Sequence, residues 1–176
     1  MALYRVCVIL LCAALAGCGG LPRLGLFEDE KPPATVKNVP RERSVDPNRA
    51  VALINAHRTS KGRGTLRHDP RLSQIARETA RELARRNTLK TEMHTAVGIG
   101  KRLDGDRYRA SRAAENLGAG YPTLVMAVDG WKTSKGHNQN LLNPHMTHAG
   151  IALVLTDKGP YHSFWVLLLA KPDDAV

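Results

Sequence analysis

The chain has 176 residues, and its 26 Lys and Arg against 16 Asp and Glu give a formal net charge of +10 at pH 7. A basic surface of this kind favours anionic partners, among them phospholipid headgroups, lipopolysaccharide phosphates and acidic polymers. All three cysteines lie in the first eighteen residues, so a disulfide framework is excluded for the rest of the chain.

The N-terminal segment predicts a secretion signal. Arg5 precedes an apolar run, residues 6–16, which is shorter than the ~20 residues needed to cross a bilayer. Leu15-Ala16-Gly17-Cys18 ends this run and resembles a bacterial lipoprotein lipobox. That resemblance implies a signal peptide over residues 1–17 and acylation of Cys18, with an ordinary signal peptide as the alternative. In a Gram-negative host, Gly19 after the cysteine resembles the default signal for transfer to the outer membrane, facing the periplasm.

Residues 18–45 are predicted to be the lipidated cysteine and a flexible linker. Four prolines lie in this segment and no helical or strand period is present, which favours an extended tether. Residues 46–176 form one predicted domain, in which 20 Lys and Arg against 12 Asp and Glu leave a net charge of +8. A domain of this size is large enough to fold on its apolar core alone.

Two helices, each opened by an Asp-Pro pair, begin the domain. Asp46-Pro47 supplies an N-cap and a first-turn proline, and Gly62 and Gly64 are expected to end the helix. Asp69-Pro70 opens a second helix whose apolar residues recur at helical spacing. These residues are Leu72, Ile75, Ala76, Thr79, Ala80 and Leu83. The opposite face carries arginines that predict a solvated surface: Arg77, Arg81 and Arg85.

The middle of the chain is less regular. Residues 88–112 predict a long irregular connection with a short helix near 100–103, because their periodicity is weak. Residues 115–120 predict a short strand. Thr123 is expected to cap a third helix, and Gly136 is expected to stop that helix in a left-handed conformation before a short fourth helix.

The C-terminal part predicts a β-hairpin. Two apolar runs, 150–156 and 163–170, flank a turn over Asp157-Lys158-Gly159-Pro160. Both runs are almost continuously hydrophobic, which indicates that helices cover both faces of the sheet. The predicted fold class is therefore α+β, a three-layer α–β–α sandwich with a small, mostly antiparallel sheet.

A series of motifs along the domain carries a resemblance to a known family. In order they are Ile54-Asn55-x-x-Arg58, an isolated His94, Ala114-Glu115-Asn116-Leu117, Trp131-x-x-Ser134-x-Gly136-His137, Asn140-Leu141-Leu142-x-Pro144 and Gly150-Ile151-Ala152. Together they resemble the CAP superfamily, the cysteine-rich secretory, antigen 5 and pathogenesis-related proteins that contain an SCP domain. The resemblance is to the disulfide-free bacterial branch, and it extends over nearly the whole domain.

This resemblance implies an α–β–α sandwich with a central cavity lined by two histidines and two acids. His94 matches the first histidine of the family, Glu115 matches the acid of its Glu-Asn motif, and His137 matches the second histidine. Ser134 stands where eukaryotic members usually have the other acid, as is common in bacterial members. One carboxylate is therefore missing from the expected cavity.

Two chemistries and one structural role suit the matched residues. His94, Glu115 and His137 offer two imidazoles and a carboxylate to zinc or another divalent metal. Ser134, His137 and Glu115 have the residue types of a nucleophile, a base and an orienting acid, although no oxyanion signature surrounds Ser134. A buried acid bonded to two histidines as a structural network is the third alternative.

The expected function is binding at the cell envelope. A lipid on Cys18 would attach the protein to a membrane, and the cavity lined by His and Glu would bind a divalent metal or a lipid-like or cell-wall ligand. A hydrolase acting in the envelope, either metal-dependent or Ser134-based, is the alternative. Nucleic acid is a poor partner, because the basic helix face lacks interleaved aromatic residues.

Overall fold

The computed structural model describes residues 39–173. The predicted signal peptide (1–17), Cys18 and the predicted linker as far as residue 38 lie outside the described residues. Within residues 39–173, no helix is long and apolar enough to cross a membrane.

The described residues form five helices, one 3-10 turn and four strands. The helices are α1 Pro47–Ser60, α2 Pro70–Arg86, α3 Ala96–Gly105, α4 Leu124–Thr133 and α5 Lys135–Leu141, with a 3-10 turn at Glu92–His94. The strands are β1 Arg67–His68, β2 Ala110–Ala119, β3 His148–Leu155 and β4 Ser163–Pro172. Asp46 and Asp69 cap α1 and α2 through their side chains, as the sequence predicts.

The strands form one sheet in the order β1-β3-β4-β2. β3 and β4 form the predicted hairpin, with Ala149 opposite Leu169 and Val154 opposite Phe164. β2 pairs antiparallel with the other side of β4, and the two-residue β1 pairs parallel with β3. β2 is consequently an edge strand, which leaves its outer side accessible to the segment that precedes it.

The sheet separates two hydrophobic cores, because successive side chains of a strand point to opposite faces. On β4, Trp165 and Leu167 pack with α1, α4 and α5. Val166 and Leu168 instead pack with α2 and α3. Burial on both faces confirms the predicted α+β class and the three-layer α–β–α sandwich.

α2 lies directly against β3. A β-carbon at Gly150 would collide with the backbone nitrogen of Ser73 and with Leu72. The Ser73 hydroxyl also accepts a hydrogen bond from the Ile151 amide at 3.2 Å. The glycine therefore permits a close approach of helix and strand that a larger residue would prevent.

The middle of the chain is more regular than predicted. Residues 88–112 contain the 3-10 turn, the ten-residue α3 and the start of β2, so the expected irregular connection is wrong, whereas the short helix expected near 100–103 is confirmed as part of α3. The first half of β2 carries mainly small and polar side chains and is partly exposed at the sheet edge, which hides its strand character in the sequence. The expectation for Gly136 is also wrong, since Gly136 lies inside α5. α4 ends instead at Ser134, whose backbone is extended.

Candidate functional site

The candidate site is built on the edge strand β2. Glu115 is only 2% exposed, and in the register of β2 and β4 it lies opposite Leu168. An ionised carboxylate buried in this way requires charged or hydrogen-bonded partners. The segment just before β2 supplies them.

Both oxygens of the Glu115 carboxylate have partners. His94 Nδ1 lies 2.8 Å from Oε2, and Arg102 Nη2 forms an ion pair with Oε1 at 2.9 Å. The His94 and Arg102 side chains are themselves mostly buried, 15% and 16% exposed. Arg102 also bonds the Met93 carbonyl and the Thr79 hydroxyl, so its guanidinium links the 3-10 turn, α2 and β2.

The position of His94 depends on a tight turn. Thr91 caps the 3-10 turn through the Met93 amide, and Thr95 caps α3 through the Gly98 amide. A β-carbon at Gly98 would lie 2.6 Å from the carbonyl oxygens of Glu92 and Met93. Glycine therefore allows α3 to fold back onto the turn, and this brings His94 and Arg102 to the same carboxylate.

His137 reaches the site from α5, in the opposite helical layer. Asn116 Nδ2 donates to the His137 carbonyl at 3.1 Å, and Asn140 Nδ2 donates to Asn116 Oδ1 at 3.0 Å. Burial, and secondly the charge of His94, lower the pKa of His137 to about 4. Because Asn116 follows Glu115 on β2, its bond to the His137 carbonyl places the start of α5 beside the strand that carries Glu115. We call His94, Arg102, Glu115 and His137 the His–Glu cluster.

A buried arginine holds the backbone around the cluster. Arg58, fully buried in α1, donates to the carbonyls of Gly64 (2.7 Å), Leu141 (2.6 Å) and Asn143 (3.0 Å). Burial, with the charge of Arg63, lowers its pKa. Because Leu141 ends α5, Arg58 fixes the helix that carries His137. The arginine of the Ile-Asn-x-x-Arg motif is thus a structural residue.

Ser134 is not part of an assembled nucleophilic relay. It occupies the N-cap position of α5, with φ −76° and ψ 123°, and makes no side-chain capping hydrogen bond. The acid that would orient His137 in the predicted Ser134–His137–Glu115 arrangement is bonded to His94 and Arg102 instead. Ser134 as nucleophile stays a prediction from residue type.

The three-ligand metal set does not fit this arrangement. Within residues 39–173, no three His, Cys, Asp or Glu side chains are positioned to hold a metal ion. In the predicted set, the Glu115 carboxylate is also already paired with the positive charge of Arg102. Sequence reasoning missed Arg102, although a buried acid in the motif signals the need for a cation. The only sign of this cation in the sequence was the presence of arginine in the weakly periodic segment before β2.

The comparison with known proteins now identifies the class of protein. The model of the cysteine-rich secretory protein family, CAP, matches residues 51–169, and the chain belongs to this family. The match covers α1 to β4 and includes every residue of the His–Glu cluster.

Three of the similar proteins come from bacteria. The chain is 31% identical over 125 residues to the uncharacterized protein YkwD of Bacillus subtilis, covering 68% of this chain and 47% of YkwD. An extracellular SCP-domain protein from Bacillus anthracis has a TM-score of 0.61 and 25% identity, over 71% of this chain and 40% of its own. An outer surface protein from Borrelia burgdorferi has a TM-score of 0.62 and 22% identity, over 74% of this chain and 98% of its own. The chain thus spans less than half of the curated relative YkwD.

Proposed function

We propose that this protein is a binding protein of the cell envelope, anchored through Cys18, and that two imidazoles of its His–Glu cluster, those of His94 and His137, bind a divalent metal of the zinc class. The extracellular and outer-surface proteins among its structural neighbours support the location. The lipobox-like sequence before Cys18 supports the anchor.

The observation that carries the proposal is the bond between His94 and Glu115. Histidines that ligate metals commonly donate their second ring nitrogen to a carboxylate, which fixes the ring and raises its basicity. The 2.8 Å contact from His94 Nδ1 to Glu115 has this form. Glu115 is then a positioning residue for the imidazole, and Arg102 holds the carboxylate in place.

His137 supplies the second imidazole. Its pKa of about 4 keeps the ring neutral at physiological pH, which is the form that binds a metal. Two imidazoles satisfy part of the coordination sphere that zinc prefers, and the metal would act there as a Lewis acid toward an oxygen ligand. The protein's own residues in this account bind and orient; none is arranged to transfer a proton.

Binding is favoured over hydrolysis because the Glu115 carboxylate is already engaged by Arg102 and His94. A carboxylate held by Arg102 and His94 is poorly suited to act as a general base or to orient His137. Ser134 lies between α4 and α5 at the N-cap position of α5, and no contact of its hydroxyl favours the alternative of a serine hydrolase.

Zinc titration by calorimetry tests the proposal. We expect His94→Ala/His137→Ala to abolish binding, and Glu115→Gln/Arg102→Met to weaken it by about 10- to 100-fold, because loss of an orienting partner typically costs that much affinity. The double substitution removes both buried charges together, which avoids leaving either unpaired. His145→Ala, at an exposed histidine, is the matched control. Equal zinc affinity of the wild type and the His94→Ala/His137→Ala variant would exclude the site.

A further inference from the structure

A second site candidate lies at one end of the sheet, away from the His–Glu cluster. An open groove of about 870 Å³ is formed there by β1, the start of α2, the segment after α3 and the end of β4. Its lining includes five Lys and Arg side chains: Arg67, Arg71, Arg107, Arg109 and Lys171. We call this surface the basic groove.

The positive charges of the basic groove exceed the negative ones. Its two acids are Asp69 and Asp173. Asp69 is already engaged, because it caps α2 and its Oδ2 accepts a hydrogen bond from the Tyr108 hydroxyl at 2.6 Å. In the part of the chain that the structure describes, no ion pair joins a carboxylate to Arg67, Arg107 or Arg109. The charge of the groove is therefore available to an external anion.

Parts of the groove are held in fixed positions. The Arg71 guanidinium lies 5.3 Å from the centre of the Tyr108 ring and donates to the Asp106 carbonyl at 2.6 Å. Arg107 has a φ of 53°, in the left-handed region that residues other than glycine and asparagine seldom occupy. This conformation ends α3 as a left-handed C-terminal cap, in which the Arg107 and Tyr108 amides donate to the Asp104 and Leu103 carbonyls. At this position it sets an arginine at the rim of the groove.

The groove and the predicted tether meet the sheet at opposite ends. Glu42 donates its amide to the Pro122 carbonyl at 2.8 Å, which fixes the start of the domain next to the C-terminal end of β2. The groove lies beside Pro172, which pairs with Ala110 at the other end of that strand. Ten residues of strand separate the two ends, or about 30 Å.

We propose that the basic groove binds a phosphate-bearing polymer of the envelope and not the bilayer in which the protein is anchored. Arginine guanidinium groups match phosphate oxygens through paired, charge-assisted hydrogen bonds, and four of the five cations are arginines. The preference for a polymer over the anchoring bilayer rests on the concave shape of the site, since a chain of phosphates can enter an open groove and a flat bilayer surface contacts only its rim. The groove shares no residue with the His–Glu cluster.

The test measures binding of fluorescently labelled polyphosphate to the full-length protein in a neutral detergent. We expect Arg67→Gln/Arg107→Asn/Arg109→Gln to weaken binding by at least about tenfold. Loss of three phosphate contacts should also reduce the slope of log affinity against log salt by about two. Asparagine replaces Arg107 because it tolerates positive φ, and circular dichroism verifies the fold. Arg77→Gln/Arg81→Gln/Arg86→Gln removes the same charge from the outer face of α2 and should leave binding unchanged.

Competition identifies the ligand. Unlabelled polyphosphate should displace the probe more strongly than polygalacturonate or micelles containing phosphatidylglycerol at equal anion concentration. Stronger displacement by the lipid micelles would overturn the polymer assignment in favour of a membrane surface, and stronger displacement by polygalacturonate would overturn the assignment to phosphate. Equal binding by the groove variant and the wild type, or no binding by either, would overturn the site. The His94→Ala/His137→Ala variant should bind polyphosphate normally, which separates this inference from the zinc proposal.

Discussion

Folding changes the titration of the His137 imidazole between about pH 4 and 6.5. Burial lowers its pKa from an ordinary value of 6.5 to about 4, with a smaller effect from the charge of His94. The unfolded chain therefore binds a proton between these pH values that the folded chain does not bind. Stability that is fully present above pH 6.5 is lost as the pH falls toward 4.

This shift gives a prediction about stability and pH. Between pH 7.5 and pH 5 we expect His137 to reduce the free energy of unfolding by about 2 kcal/mol. Urea unfolding with a chelator present should show this loss in the wild type and a smaller one in His137→Gln. His145→Gln, at an exposed position, should retain the wild-type loss. His94 and Glu115 lie in the same cluster, so the test compares the pH-dependent loss of unfolding free energy between the two variants. If His137→Gln loses as much stability as the wild type, the loss does not come from His137.

Family resemblance predicted some members of the His–Glu cluster and could not predict others. His94, Glu115 and His137 are distinctive residue types in recognisable motifs, and the structure gathers them around the edge strand β2. Arg102 could not be predicted in the same way, since its role depends on α3 folding back at Gly98. That fold-back follows from a close backbone contact, which leaves no periodic signal in the sequence.

At the scale of elements, the packing of α2 on β3 depends on one glycine. Gly150→Ala would place a methyl group against the Ser73 backbone and Leu72. Because a helix backbone cannot yield as a flexible side chain can, we expect a loss of about 1–3 kcal/mol in the free energy of unfolding.

Gly136 in α5 is the matched control. A β-carbon there meets nothing within 4 Å, and Gly136 is the second residue of α5, where alanine is better than glycine by at most about 1 kcal/mol. Gly136→Ala should therefore leave stability unchanged or raise it. Urea unfolding compares both variants with the wild type. Strong destabilisation by Gly136→Ala would indicate that Gly136 has the left-handed conformation that the sequence predicted. An unchanged free energy of unfolding in Gly150→Ala would show that α2 can move away from β3.

Elements with a strong local signal were predictable, whereas elements defined by the sheet edge were not. α2 has apolar residues at helical spacing, and the β3–β4 hairpin has two apolar runs around a turn. The first half of β2 contains mainly small and polar residues, among them Ser111 and Arg112, because one side of an edge strand faces solvent. β1 is too short to produce a pattern, and only its parallel pairing with β3 defines it.

At the scale of the whole molecule, the electrostatic attraction of the domain to the envelope and the hydrophobic attachment of a lipid anchor respond differently to salt. The domain carries a net charge of +8 from Asp46 onward, so it is attracted to anionic surfaces with or without a lipid. At 1 M salt the screening length falls to about 3 Å, and contacts between exposed charges largely disappear. An acyl chain is held by burial of its methylene groups, at about 0.8 kcal/mol each, and this term does not weaken with salt.

Cys18 is therefore the residue that should determine membrane attachment. We expect the wild-type protein to stay in the membrane fraction after a 1 M salt wash and to partition into the detergent phase of Triton X-114. Cys18→Ala should be released by the wash, because only its charge then holds it to the membrane. Cys12→Ala, within the same predicted signal peptide, should behave as the wild type. If Cys18→Ala resists salt and enters the detergent phase as the wild type does, the protein is not anchored through this cysteine.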